Sequence, residues 1–187
     1  GESSDVTAGQ AMAWIGKVAK GKKPFLAVVW FGNPHSPHVA VDKFKKMYSD
    51  QPDGVAHFFG ESTAMDAALG KMRSGLRKLG IADNTVVVFT ADHGHSLGEH
   101  DYWYHHGEFL YDASMSIPLI IKAPGAKGNG QACRRIVEFV DIYPTLTGLA
   151  GIPTPKAVEG RSLVPLLKNP LTKWDGYAIT QVLRPTD

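Results

Sequence analysis

Val86-Val87-Val88-Phe89-Thr90-Ala91-Asp92-His93-Gly94-His95-Ser96-Leu97-Gly98-Glu99-His100 is the stretch that decides the fold. Its first half is a continuous β-branched and aromatic run, the pattern of a strand covered on both faces in a parallel sheet. Such sheets carry their ligands beyond the carboxyl ends of the strands, which is where Asp92 and His93 fall. A carboxylate oxygen and an imidazole nitrogen can converge on one divalent cation, and Gly94 permits a sharp turn with no side chain in the way. The stretch reads as a strand feeding a metal site, with Asp92 and His93 as ligands.

Outward from it, helical and strand patterns alternate in the manner of βαβ units. Residues 6–20 read as a helix carrying Val6, Met12, Ala13, Ile15 and Val18, ended by Gly21 and Pro24. Phe25 to Phe31 reads as a buried strand, and residues 32–53 as an active-site loop with a helical turn near Phe44 to Tyr48. Residues 55–79 form the longest expected helix. Its stripe of Ala64, Ala68, Met72, Leu76 and Leu79 is expected to face a sheet, with Gly80 as C-cap. Ile117 to Lys122 and Ile136 to Phe139 are the next strands. Asp141 is the expected N-cap of a helix through Ala150, with Pro144 in the first turn, and residues from Thr154 onward read as loop. Trp14, Trp30, Phe58, Phe59, Phe89 and Phe139 are the expected core aromatics. The fold class is α/β, with a mostly parallel central sheet flanked by helices.

Bulk properties narrow the function classes. With 187 residues, 43% hydrophobic, 20% charged and a net charge of +2, the chain can bury one substantial core, and a single domain is the expectation. No apolar run approaches the roughly 20 residues of a membrane helix, and the opening Gly1-Glu2-Ser3-Ser4-Asp5 is not a signal peptide. Lys20, Lys22 and Lys23, like Lys43, Lys45 and Lys46, read as separate solvated patches, so there is no nucleic-acid footprint. The single cysteine, Cys133, excludes an internal disulfide.

Gly80-Ile81-Ala82-Asp83-Asn84-Thr85 leading into Val86 to Gly94 and Leu97 to His100 resembles the sulfatase branch of the alkaline phosphatase superfamily. Four further motifs occur in order. They are Pro24-Phe25-Leu26 leading to Asn33-Pro34-His35-Ser36-Pro37; Ile117-Pro118-Leu119-Ile120-Ile121 with Ala123-Pro124-Gly125; Val140-Asp141-Ile142-Tyr143-Pro144-Thr145-Leu146; and Glu159-Gly160-Arg161-Ser162-Leu163 with Pro165-Leu166-Leu167. The stretch Ala178 to Pro185 is similar to the iduronate-type subgroup. Sulfatases also carry an N-terminal Asp-Asp pair and a Cys-x-Pro-Ser-Arg motif whose Cys or Ser is oxidised to formylglycine, the nucleophile. Neither motif occurs in this sequence, and Cys133 has no Pro two residues on. The expectation is a central and later part of a longer enzyme, incomplete without the formylglycine segment, the C-terminal subdomain and the other portions of its own domain.

The resemblance implies roles for named residues. Asp92 and His93 would hold one divalent metal, most simply calcium. His35 occupies the position of a His that contacts the sulfate group and protonates the leaving oxygen, which suits a side chain titrating near 6.5. Pro34 and Pro37 hold its backbone extended, and His38 reads as a rim residue. In Tyr102-Trp103-Tyr104-His105-His106-Gly107, where many sulfatases present a Lys, His106 is the candidate cation and second catalytic residue, with His105 the competitor. Trp103 or Tyr104 would wall the substrate pocket. Glu99, His100 and Asp101 read as turn residues or as groups orienting a metal-bound His, and Arg161 as a loop hydrogen-bonder.

The implied reaction is hydrolysis of a small-molecule or carbohydrate sulfate ester, in a periplasmic, secreted or lysosomal setting. The same ligand set serves phosphoryl transfer, so a phosphodiesterase or phosphonate monoester hydrolase is the alternative enzyme. A non-catalytic binding module or remnant is the alternative of another class, if these residues are the whole protein.

Overall fold

In the computed structural model, which describes residues 2–21, 23–105 and 110–181, Glu2 starts the first helix. Its carboxylate accepts the N–H groups of Ser4 and Asp5, so α1 (Ser3–Val18) begins earlier than apolar periodicity alone suggests. The chain forms two compact units, Gly1–Asp83 and Asn84–Asp187.

In the first unit, α2 (Asp42–Lys45) and a 3-10 turn over Lys46–Tyr48 supply the helical turn expected in the long loop. The longest helix, α3 (Asp53–Lys78), buries Ala64, Ala68 and Leu76, and the same face continues through Val55, Ala56, Gly60 and Glu61. Among the described residues that face packs chiefly on α1 and α2, where a sheet is expected from the sequence. Small residues make the approach possible. A Cβ on Gly75 would stand 2.5 Å from Met12, and one on Gly60 would stand 2.7 Å from the Ala40 side chain and 3.0 Å from the Lys45 nitrogen. Lys71 pairs with Asp5 across the α1–α3 contact. Leu79 is exposed because it is the C-cap, where Gly80 N–H reaches Arg77 O and Ile81 N–H reaches Leu76 O around a glycine of φ 70°.

Two expectations fail here for one reason. Phe25 to Phe31 joins no ladder among the described residues, and Leu26, Val28 and Trp30 are 75%, 69% and 87% exposed. Trp30 is therefore not a core residue, and Trp14, also exposed, meets Phe25 edge-on at 5.6 Å. Apolarity at alternate positions signals a strand that can be covered. It does not say by what.

In the second unit, β1 (Val87–Thr90) pairs with β4 (Leu119–Lys122), Val87 opposite Lys122 and Thr90 opposite Leu119. The α/β class holds, but both ladders among the described residues are antiparallel, because a continuous apolar run reports burial and not strand direction. Phe89 and its neighbours on β1 are half-buried. Between these strands lie β2 (Ser96–Leu97), β3 (Trp103–His105) and α4 (Asp112–Met115), three short elements that the sequence pattern does not predict. Residues 136–138 join no ladder among the described residues, and Phe139, exposed, opens a 3-10 turn through Asp141. Helix α5 (Ile142–Ala150) ends at Gly151, φ 68°, as expected, whereas α6 (Val164–Lys168) lies in the stretch read as loop. Among the described residues no helix is long and apolar enough to cross a membrane.

Asp141 stands at the N-cap of α5 as expected, but its side chain is used elsewhere. Its buried carboxylate accepts Glu138 N–H at 3.1 Å through Oδ2 and Arg161 N–H at 2.7 Å through Oδ1, and makes no cap bond to the helix. Thr145 Oγ1, buried one turn on, donates to Asp141 O at 2.6 Å and accepts Leu163 N–H at 2.7 Å. The Arg161 side chain bonds Asp175 at 2.9 Å and lies over the Trp174 ring, the loop role expected of it. Replacing Asp141 by Ala strands two backbone donors. The expected loss is about 2–3 kcal/mol of stability, read from the urea midpoint at constant slope; an unshifted midpoint would contradict this assignment.

Candidate metal and ester-binding site

The turn after β1 is held by backbone. Gly94 N–H donates to Ser114 O at 2.7 Å and His95 N–H to Ala113 O at 2.8 Å, which fastens the turn to α4. A Cβ on Gly94 would stand 2.0 Å from Ala113 O, so the contact requires glycine. Ser96 and Ser114, both buried, join their hydroxyls at 3.3 Å beneath it.

On this turn Asp92 and His93 are brought together. Asp92 Oδ1 accepts His93 N–H at 3.1 Å, and His93 Nε2 lies 3.8 Å from the same oxygen. His93 Nδ1 is 2.7 Å from Gly94 O. A carbonyl only accepts, so Nδ1 carries the proton, and in the neutral ring Nε2 is the nitrogen able to coordinate. The Asp92 side chain is 90% exposed and that of His93 36%. A cation about 2.1–2.4 Å from each donor atom spans a bite of this width at an obtuse angle. The pair therefore fits as two ligands of one metal. Among the described residues no third His, Cys, Asp or Glu joins them.

Residues 99–105 rim this unit's hairpin. Glu99 accepts its own N–H and that of Leu97, the latter at 2.6 Å, and these bonds hold its carboxyl below the usual carboxylate range. His100 and Asp101 take left-handed backbone, φ 56° and 63°, and the His100 ring stacks on Tyr111 at 4.0 Å. The Gly94 carbonyl is an acceptor that orients His93 at Nδ1, and it carries no signal in sequence. Trp103, half exposed, lays its ring against Gly98, whose φ of 117° and lack of Cβ leave room for it. His106 lies outside the described residues, and of His105 only the backbone, in β3, is described.

His35 belongs to the first unit. It is exposed, and its Nδ1 donates to Ser36 O at 2.7 Å, between cis peptide bonds at Asn33–Pro34 and Ser36–Pro37. His38 corrects the expectation of a rim residue. Its side chain is 8% exposed, with Nδ1 3.4 Å from Glu61 Oε2 and the ring edge-on to Phe58. Sequence reasoning missed Glu61 and His57, because both sit on α3 where helix periodicity draws attention to apolar positions.

The sequence model of the family described as Sulfatase matches residues 1–152. An ulvan-active sulfatase of Formosa agariphila is 33% identical over 193 aligned residues, covering 94% of this chain but 38% of that protein. The chain thus spans well under half the length of that relative. A solved structure from work on glycosaminoglycan metabolism by Bacteroides thetaiotaomicron superposes with a TM-score of 0.79 at 26% identity, covering 95% of this chain and 40% of that one. The phosphonate monoester hydrolase of Agrobacterium radiobacter gives a TM-score of 0.68 at 25% identity, covering 86% and 41%.

The close approach at Gly94 is open to test. Gly94→Ala has to break the bonds to Ala113 and Ser114, with an expected cost of about 2–4 kcal/mol. Denaturant unfolding measures it, and amide exchange at His95 should rise in parallel; a neutral substitution would mean the two backbones do not meet.

Proposed function

Since this chain belongs to the sulfatase family, we propose that it supplies the metal-binding turn and two working histidines of a sulfuric ester hydrolase. The observation that carries the reading is the Asp92–His93 bite with the His93 proton fixed on Nδ1. Asp92 and His93 hold one divalent cation, calcium by preference, with further ligands from outside the described residues. When bound, the metal supplies positive charge beside the ester's non-bridging oxygens as negative charge builds there.

The remaining roles follow from side-chain chemistry. With Nδ1–H committed to Ser36 O, the proton that His35 can pass to a departing oxygen is the one on Nε2 of its imidazolium form. His106 is the proposed second catalytic cation on the transferred group, with His105 its competitor. Trp103 offers a half-exposed indole face to a sugar ring or other apolar part of the substrate. The attacking group, formylglycine by family chemistry, comes from outside these residues. The ulvan-active relative and the structure from glycosaminoglycan metabolism support a sulfated carbohydrate as substrate.

A second reading is favoured by the similarity to the phosphonate monoester hydrolase, since its structure superposes over 86% of this chain. Side-by-side hydrolysis of an aryl sulfate and a phenylphosphonate ester by the full-length protein separates the two.

Two outcomes are expected. Asp92→Ala should abolish stoichiometric metal in the purified full-length protein, measured by elemental analysis; retention of one tightly bound ion per chain would remove Asp92 from the site. His35→Ala should lower kcat on an aryl sulfate by about 10²–10⁴-fold, and a variant within threefold of the parent would exclude a proton-transfer role.

A further inference from the structure

We propose that Glu61 is a positioning residue for His35, acting with His57 as a clamp that sets the loop carrying it. The inference rests on the role given to His35 above.

The two clamp residues sit one turn apart on α3. Glu61 Oε1 accepts Val39 N–H at 3.0 Å, and His57 Nδ1 accepts Ala40 N–H at 3.0 Å. The other Glu61 oxygen lies 3.4 Å from His38 Nδ1, with both side chains 8% exposed. Ala40 is itself buried against Gly60, whose missing Cβ admits it. Helix α3 therefore grips residues 38, 39 and 40 in succession. On the other side of His35, Asn33 accepts from Ser3 Oγ at 2.6 Å and donates to Glu2 at 2.9 Å, which ties the loop to the start of α1. His35 stands between two anchors, three residues before the α3 grip, with Pro37 restricting the backbone in between.

The choice of residue is the telling part. A carboxylate this deeply buried is costly, and an apolar side chain would fill the space as well. What an apolar side chain cannot do is accept Val39 N–H and face His38 at once. A proton donor displaced by an ångström loses more in the chemical step than in substrate binding, so the clamp acts mainly on kcat.

The experiment uses the full-length protein with Glu61→Ala, Glu61→Gln, His57→Ala and His35→Ala, a chromogenic aryl sulfate, and amide exchange over residues 33–41. Glu61→Ala should lower kcat by about 10–100-fold with KM within about threefold, and raise exchange over 33–41. Glu61→Gln keeps an acceptor for Val39 N–H and should recover kcat to within about threefold of the parent. A folded Glu61→Ala variant with parental kcat, beside an impaired His35→Ala, overturns the clamp and leaves the role of His35 standing. If His35→Ala retains parental kcat, the role of His35 falls and the clamp's purpose with it. Should Glu61→Ala fail to fold, His57→Ala decides: the same fall in kcat at steady KM supports the proposal, and an unchanged kcat overturns it.

Discussion

The second unit depends on one close approach, the backbone of Gly94 against the carbonyl of Ala113. The same chain segment that docks there, α4, runs directly into β4, and β4 pairs with β1. Ladder and docking contact thus close a ring. Thr90 is held opposite Leu119 at one point, and Gly94 and His95 are held to Ser114 and Ala113 at the next. Asp92 and His93 lie between these fixed points, where the backbone has little freedom to separate their donor atoms. A site made of two adjacent side chains needs such support, because neither residue is buried enough for packing to orient it.

Backbone groups also decide which nitrogen of each imidazole works. Beside His35 and His93 the near group at Nδ1 is a carbonyl, so Nδ1 carries the proton. Beside His57 the near group is an N–H, so Nδ1 is the acceptor and the neutral ring carries its proton on Nε2. One residue type is put to opposite uses by the polarity of the nearest peptide. Of the histidines proposed to act on substrate or metal, His35 and His93 are of the first kind, and His57, proposed to hold a loop, is of the second.

This explains what could be read from sequence and what could not. Helices α1, α3 and α5 were legible because their apolar spacing and their glycine stops are local properties. So was the Asp92–His93 turn, since a β-branched run ending in Asp-His-Gly states both the strand and its end. Helices α4 and α6, of four and five residues, are too short to show a period, and α4 exists with the turn docked on it. The position of Asp141 at the N-cap of α5 is legible but the partners of its carboxylate are not, because an N-cap is a local role and the donors at Glu138 and Arg161 include one 20 residues away. His38 looked like a rim residue because the carboxylate that meets it comes from α3. Leu26, Val28 and Trp30 were read as buried from composition, a property that identifies what can be covered and not the surface that covers it.

The two ends of the segment after α5 lie close together. Ile152 N–H closes onto Thr147 O, Arg161 N–H onto Asp141, and a Cβ on Gly160 would stand 1.9 Å from Val140 O. Thr154 Oγ1 meets Thr147 Oγ1 at 2.7 Å at the exit, so residues 155–159 leave and return at neighbouring points on one scaffold, and the hydrogen bonds that fasten the exit and the re-entry do not involve them. A change of length there adds only the entropy of a longer closed loop, about 0.6 kcal/mol for each doubling. Insertions and deletions between paralogues are free to accumulate in this interval without disturbing α5 or the Asp141 network, which makes it a place where related proteins can diverge in outline while keeping the same frame.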